Sequence, residues 1–334
     1  MASKSSSDKS SAQLLRFERF KKRQSDVKWG PDYETAIRAV KGEAPPGSSP
    51  GTLPATRLGR FIHAMSWPEK VAASLALYAD PFELHDQHVF YPTAKQHPLA
   101  YHPLYLDRPW PFTEGTFALA EKLDVLQLHP MAMRYGQTTA SSASSDSEGT
   151  WEIGSWIGDL LLYLKDESGT PYLVFWDVKQ KTDDHGRPGG DPVKRLSAIE
   201  VARAKARSVV CAAYAEQLGS RIVDFNLGKI PPSLATTLVC LCRASAAEID
   251  LPTTAMADLV LAYQDGVGAG TPPREIAKRI VSSSKDLHYA KSLFEVAVWQ
   301  RKVRVDLNQP VIWNRPLLPE RKDVLTEFSY LFSR

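Results

Sequence analysis

Tyr172-Leu173-Val174-Phe175-Trp176-Asp177-Val178-Lys179-Gln180 is an apolar run of strand length that ends in a carboxylate, one spacer and a lysine. Side chains alternate faces along a strand, so Asp177 and Lys179 point the same way, about 7 Å apart. Such a pair at a strand end suits a divalent metal with a positioned water. It equally suits a surface ion pair. Upstream, Ile157 to Leu164 reads as a second apolar strand, and Asp166-Glu167-Ser168-Gly169 between the two has the composition of a hairpin turn. In an antiparallel hairpin the start of one strand lies beside the end of the next, which makes Asp159 and Asp177 near neighbours with Lys179 on the same face. Two converging carboxylates suit Mg²⁺, a hard cation that prefers oxygen ligands and keeps several waters. The lysine would orient or help deprotonate a metal-bound water for attack on phosphorus.

Working outward, Ser66 to Asp80 reads as a helix with Val71, Leu75 and Leu77 near helical spacing, and Glu69 on it is the candidate third acid. Phe82 to Tyr91 reads as extended, and Phe117 to Val125 as a short helix. Lys181 to Gly190 is a polar loop whose Lys181 and Arg187 are candidate phosphate contacts. Its His185 carries no role beyond chance metal binding. A long helix is expected from the N-cap Asp191, with Pro192 in its first position, to Leu218, with an apolar stripe through Ile199, Ala202, Val209, Ala213 and Leu218. Ile222 to Phe225 is a weaker strand candidate, and Thr237 to Leu241 reads as a buried strand. Helix, strand, strand pair, helix, strand is the order of a compact α/β domain.

The flanks differ in character. Residues Met1 to Gln13 are Ser/Lys-rich and read as disordered. From Met1 to Lys28 there are 8 basic and 3 acidic residues, which fits either a solubilising tail with a short amphipathic helix or an arm touching nucleic-acid phosphates or a partner protein. Glu43 to Thr52 is a turn-rich linker, and the serine-rich run Thr138 to Thr150 reads as a surface insertion. Past Ser245, three helices (Ala255 to Tyr263, Pro273 to Ser283, Leu287 to Val303) precede two short strands, Val303 to Leu307 and Val311 to Trp313. That is the winged-helix layout. Arg274 to Arg304 carries 8 basic and 3 acidic residues. Lys278, Arg279, Arg301, Lys302 and Arg304 are therefore candidate DNA contacts, with protein docking as the other reading. The chain thus divides into an N-terminal arm and linker (1–50), an α/β domain (51–244) and a winged-helix-like domain (245–334).

Composition bounds the rest. A net charge of +3 with 43% hydrophobic and 24% charged residues is ordinary for a globular protein with a sizeable core. The three cysteines, Cys211, Cys240 and Cys242, have no metal-ligand spacing and suit a reducing compartment, with Cys240 and Cys242 read as small core residues. No apolar stretch is long enough for a bilayer, and the N-terminus lacks a secretory apolar core, so a cytoplasmic protein without a membrane partner is expected.

Each candidate also has a plain reading. Ser66-Trp67-Pro68-Glu69 fits a capping box, Asp159 after Gly158 fits a strand-edge turn, and an Asp-x-Lys triplet alone is weak. Order adds weight: an acid on a helix, an acid on a first strand, acid-x-Lys on a second, then a long helix. In this order the chain resembles the PD-(D/E)xK nucleases, and more specifically the TnsA-like endonuclease subunits of heteromeric bacterial cut-and-paste transposases. The residues that carry the likeness are Gly59-Arg60, His63, Ser66-Trp67-Pro68-Glu69, Asp86-Gln87, Gly158-Asp159 and Asp177-Val178-Lys179, with Asp306-Leu307 and Pro310 at the C-terminal end. The resemblance implies a restriction-endonuclease-like α/β core followed by a winged-helix-like domain. It implies a catalytic set of Glu69, Asp159, Asp177 and Lys179. The three acids would be metal ligands for Mg²⁺, with Mn²⁺ as a substitute. It also implies cleavage of the 5′ ends of a transposon in double-stranded DNA. The partners would be an integrase-type transposase subunit and an AAA+ ATPase regulator, in a bacterial cytoplasm at the nucleoid. Asp177 stands where that family often has Glu or Gln. The alternatives are a stand-alone restriction or repair nuclease and a non-catalytic DNA-binding or assembly protein.

Overall fold

The computed structural model describes residues 6–134, 150–180 and 197–334. In chain order they form α1 (Ser6–Gln24), β1 (Gly51–Ala55), β2 (Arg60–Ala64), α2 (Trp67–Tyr78), β3 (Glu83–Phe90), β4 (Lys95–Gln96), β5 (Phe112–Thr113), α3 (Thr116–Lys122), β6 (Met131–Arg134), β7 (Thr150–Ile153), β8 (Trp156–Lys165) and β9 (Pro171–Lys179). They continue as α4 (Ala198–Gln217), β10 (Ile222–Asn226), α5 (Pro232–Ala244), α6 (Thr253–Ala269), α7 (Pro273–Ile280), α8 (Ser284–Trp299) and α9 (Val324–Glu327). The fold is mixed α/β around a four-stranded sheet ordered β10-β9-β8-β3, in which β10 runs parallel to β9 and the other pairs are antiparallel. Among the described residues, no helix is long and apolar enough to cross a membrane.

Both faces of the sheet are covered, which explains why β8 and β9 read as nearly continuous apolar runs. Leu160, Leu162, Val174 and Trp176 face one layer, with α2 and α5. Leu161, Tyr163, Leu173 and Phe175 face the other, with α3 and α4. The β8–β9 hairpin forms as expected, closed by Asp166, whose Oδ1 accepts from the Ser168 and Thr170 amides, and by Gly169 at φ 78°. The first apolar cluster extends without a break through α5, α6 and α8 to Leu331. The C-terminal tail docks on β9 itself: Trp176 Nε1 donates to the Leu331 carbonyl at 2.8 Å and Tyr172 Oη to the Phe332 carbonyl at 2.9 Å.

Several expectations are corrected. Residues from Ser6 to Gln13, read as disordered, belong to helix α1, and Phe17 and Phe20 of that helix are buried. Arg23 holds Glu43 with two hydrogen bonds, of 2.7 and 2.8 Å, so the basic segment is packed on the domain. The aromatic stripe supplies the burial that Ser/Lys composition alone cannot. Helix α4 begins at Ala198 with Ser197 as N-cap and Glu200 closing a capping box, not at Asp191, which lies outside the described residues together with Pro192. Its buried line is Ala206, Val210, Cys211, Tyr214 and Ala215; of the expected stripe, Leu218 is buried and Ala213 packs against the same cluster, while Ile199 and Val209 are exposed.

The segment Thr237 to Leu241, read as a strand, lies inside helix α5. A short apolar run has no period of its own. Here Leu234, Leu238, Leu241 and Cys242 recur at helical spacing behind Pro231-Pro232, and Cys240 turns outward. The three C-terminal helices are present, but the two strands of the wing are not. Val303 to Leu307 is loop with one isolated bridge, Val305 to Pro319, and the buried Val303, Val305 and Leu307 alternate because they pack on the core rather than in a sheet. The serine-rich insertion from residue 138 to 149 lies outside the described residues, as do Lys181, His185 and Arg187.

Candidate active site

The β8–β9 register pairs Leu160 with Trp176, so Asp159 and Asp177 are the next residues at the open end of the hairpin. Leu160 and Trp176 face α2 and α5, and by alternation Asp159, Asp177 and Lys179 turn toward α4. The Val178 amide donates to Asp159 Oδ2 at 2.7 Å, and the Asp159 and Asp177 carboxyls hydrogen-bond to each other. Lys179 Nζ donates to Asp177 Oδ2 at 2.6 Å. Burial, helped by the charges of Glu69 and Asp177, pushes the Asp159 carboxyl up to about 8. The Asp159–Asp177 pair therefore favours holding a proton within it, with burial acting most strongly on Asp159. Burial also pushes Asp177 upward, but Arg207 and Lys179 together hold it below the usual carboxylate range.

Glu69 approaches from the start of α2 and is otherwise engaged. Its Oε1 accepts from Ser66 Oγ at 2.8 Å, and its Oε2 from the Met65 amide at 2.8 Å and Gln87 Nε2 at 2.9 Å. Ser66 in turn accepts from the Glu69 amide, so the capping reading of Ser66 to Glu69 is realised in the geometry. Burial raises the Glu69 carboxyl against those three hydrogen bonds. Gln87 reaches Glu69 because its backbone lies in the left-handed region, at φ 47°. The ladder pairs Asp86 with Leu160 and His88 with Gly158, and the left-handed residue between them reverses the alternation. As a result His85 packs on Tyr163 and His88 on Phe175, both on the α4 side.

Behind Glu69 lies a buried charged group. Arg60 Nη1 meets Asp86 Oδ1 at 2.7 Å, Asp86 Oδ2 accepts from the His63 amide at 2.7 Å, and the guanidinium sits 4.5 Å over the Tyr33 ring. Arg60, His63 and Asp86, which carry part of the resemblance, thus fasten β2 to β3. His63 Nδ1 itself accepts from the Ala39 amide at 3.0 Å.

Sequence reasoning missed Arg207. From α4 its Nη2 donates to the Ile157 carbonyl at 2.8 Å and lies 3.7 Å from Asp177 Oδ1. The signal was present: Val210, Cys211 and Tyr214 follow Arg207 at three, four and seven positions, a cation at the edge of an apolar stripe. The candidate DNA contacts of the C-terminal segment do not converge on one surface role. Arg301 and Arg304 share Asp323, at 2.5 and 2.7 Å, and Arg304 also binds Glu320 at 2.5 Å. Lys278 pairs with Glu275 at 2.9 Å, and Arg279 and Lys302 are exposed. The tail thereby neutralises part of the charge counted between Arg274 and Arg304.

Chemically, the site offers two adjacent carboxyls, one lysine and one arginine. Among the described residues, no group of three or more His, Cys, Asp or Glu is arranged to hold a metal ion. No model of a known protein family matches the chain, and no curated protein is significantly similar to it.

Proposed function

We propose that the chain is a metal-dependent DNA endonuclease. In this reading it hydrolyses a phosphodiester bond at the 5′ ends of a transposon, alongside an integrase-type transposase subunit and an AAA+ ATPase regulator. The observation that supports it is the Asp159–Asp177 carboxyl pair with Lys179 at the open end of the β8–β9 hairpin. Restriction-endonuclease-like is the name this reading gives to the α/β core, which the three C-terminal helices follow without the two wing strands.

The donor set fits Mg²⁺, or Mn²⁺ in its place, because Mg²⁺ is commonly held by one or two carboxylates and retains waters. Asp159 and Asp177 would hold it. Glu69 is tied to its own helix start and acts on Asp159 through its charge. A bound divalent cation supplies polarisation of the phosphate and an acidified water. Asp159 would give up its proton to hold the cation, Lys179 would orient the attacking water beside Asp177, and the Val178 amide keeps Asp159 at the strand end.

Full-length protein with its transposase partner, Mg²⁺ and duplex DNA carrying the transposon ends should cut, and Asp177→Ala should not. Equal cutting by the variant would overturn the proposal. Cutting without any partner would favour a stand-alone nuclease. A non-catalytic DNA-binding or assembly role is favoured by one observation, the engagement of the Glu69 carboxylate by Ser66, Met65 and Gln87. That role requires no Mg²⁺-dependent cutting even with the partner present.

A further inference from the structure

We infer that Arg207 is a substrate-contacting residue, the cation that grips the scissile phosphate; the inference rests on the nuclease reading above. Arg207 is anchored from behind: its Nη2 donates to the Ile157 carbonyl at 2.8 Å, at the end of β8 where Asp159 begins the site. The same nitrogen lies 3.7 Å from Asp177 Oδ1, an ion pair too long for a hydrogen bond. Asp177 gives its short contact, 2.6 Å, to Lys179 instead. Among the described residues, both contacts of Arg207 run through Nη2, and a guanidinium carries three further N–H donors on Nε and Nη1.

Exposure ranks the charged groups. The Arg207 side chain is 32% exposed, against 23% for Asp177 and 14% for Lys179. Of the two cations described at the site, Arg207 is the outer one and Lys179 the inner one. The anchor also fixes its direction, since Val210, Cys211 and Tyr214 pack the same side of α4 into the core. A planar fork held at one corner matches the non-bridging oxygens of a phosphodiester, and a lysine there would lack that geometry.

The test is a salt titration. Full-length protein is titrated onto a labelled mixed-sequence DNA duplex in Ca²⁺, with KCl varied, for wild type, Arg207→Lys and Arg207→Met. Arg207→Met should bind about tenfold more weakly, and the slope of log affinity against log salt should fall by about 1. Arg207→Lys should keep the slope and lose part of the affinity. Thermal melts establish that the variants are folded, and Arg207→Gln replaces Arg207→Met should the latter fail to fold. A folded charge-neutral variant with an unchanged slope overturns the inference about Arg207 alone, given wild-type cleavage in Mg²⁺ with the partner. Wild-type protein that neither binds nor cuts DNA with its partner overturns the nuclease reading, and the role of Arg207 falls with it.

Discussion

Asp159 on one strand caps the backbone of the next: its Oδ2 accepts the Val178 amide at 2.7 Å, between the two residues of the Asp177-x-Lys179 pair. That bond ties the geometry of the hairpin end to the protonation state of one carboxyl. The Asp159 carboxyl is pushed up to about 8, from 3.8, chiefly by burial. In the unfolded chain it loses its proton near 3.8, so between about 4 and 8 the folded state binds the extra proton. Stability falls as pH rises through this window and levels off above it. Asp159→Asn should flatten the dependence and gain stability relative to wild type at pH 9, as read by urea unfolding at pH 6 and 9.

Metal loading should follow the same proton. Within the nuclease reading, binding of Mg²⁺ at neutral pH should release about one proton. Calorimetry in buffers of different ionisation enthalpy measures it directly. Affinity should rise with pH up to about 8 and then level, following the Asp159 carboxyl. In Asp159→Asn the proton release should vanish.

The Arg23–Glu43 pair fastens α1 to the domain through two short hydrogen bonds, and side-chain hydrogen bonding to Arg23 lowers the Glu43 carboxyl to about 2. A depressed carboxyl contributes stability that is present above its unfolded value and lost as pH falls toward about 2. Arg23→Met should cost about 1–3 kcal/mol at pH 7, measured by urea unfolding, and the loss should shrink at pH 2–3.

Gly158 leaves no room for a side chain. A Cβ there would meet His88 Cε1 at 2.1 Å, within a strand packed on both faces. Gly158→Ala should destabilise by about 1–3 kcal/mol. Adding His88→Ala in that background should recover part of the loss, a coupling that a double-mutant cycle reads out.

His88 is buried with neither ring nitrogen hydrogen-bonded, and burial lowers it to about 3. It stays neutral in the fold and charges when unfolded, so stability should decline as pH falls below about 6.5 toward 3. His88→Leu should remove that part of the acid sensitivity and be neutral or stabilising at pH 7, since an unsatisfied polar group is replaced by an apolar one.

What was legible in the sequence follows physical signals that are local. Ser66 before Trp67-Pro68-Glu69 announces the start of α2, and Asp166 to Gly169 announces the hairpin that pairs Asp159 with Asp177. Signals that depend on packing were illegible or misread. Leu238 to Leu241 fits a strand or a buried helix, and only the contacts of α5 with α2 and α8 decide it. The end of α4 is legible, but its phase, and with it the place of Arg207, depends on Cys211 and Tyr214 meeting the sheet. The wing failed for the same reason: alternation in Val303, Val305 and Leu307 records burial against a core, with no partner strand beside it. Gln87 could not be foreseen, because a left-handed glutamine is imposed by its surroundings.

The docking of the tail on β9 has a kinetic consequence. Trp176 finds its hydrogen-bond acceptor 155 residues later in the chain, and Tyr172 finds its own 160 residues later. Contacts of such separation carry a high loop-closure cost, so they form late and slow the overall search. The strand that ends in Asp177 and Lys179 is therefore expected to reach its final packing only when residues near Leu331 arrive, a step that a variant keeping Trp176 as its single tryptophan among the chain's eight would report.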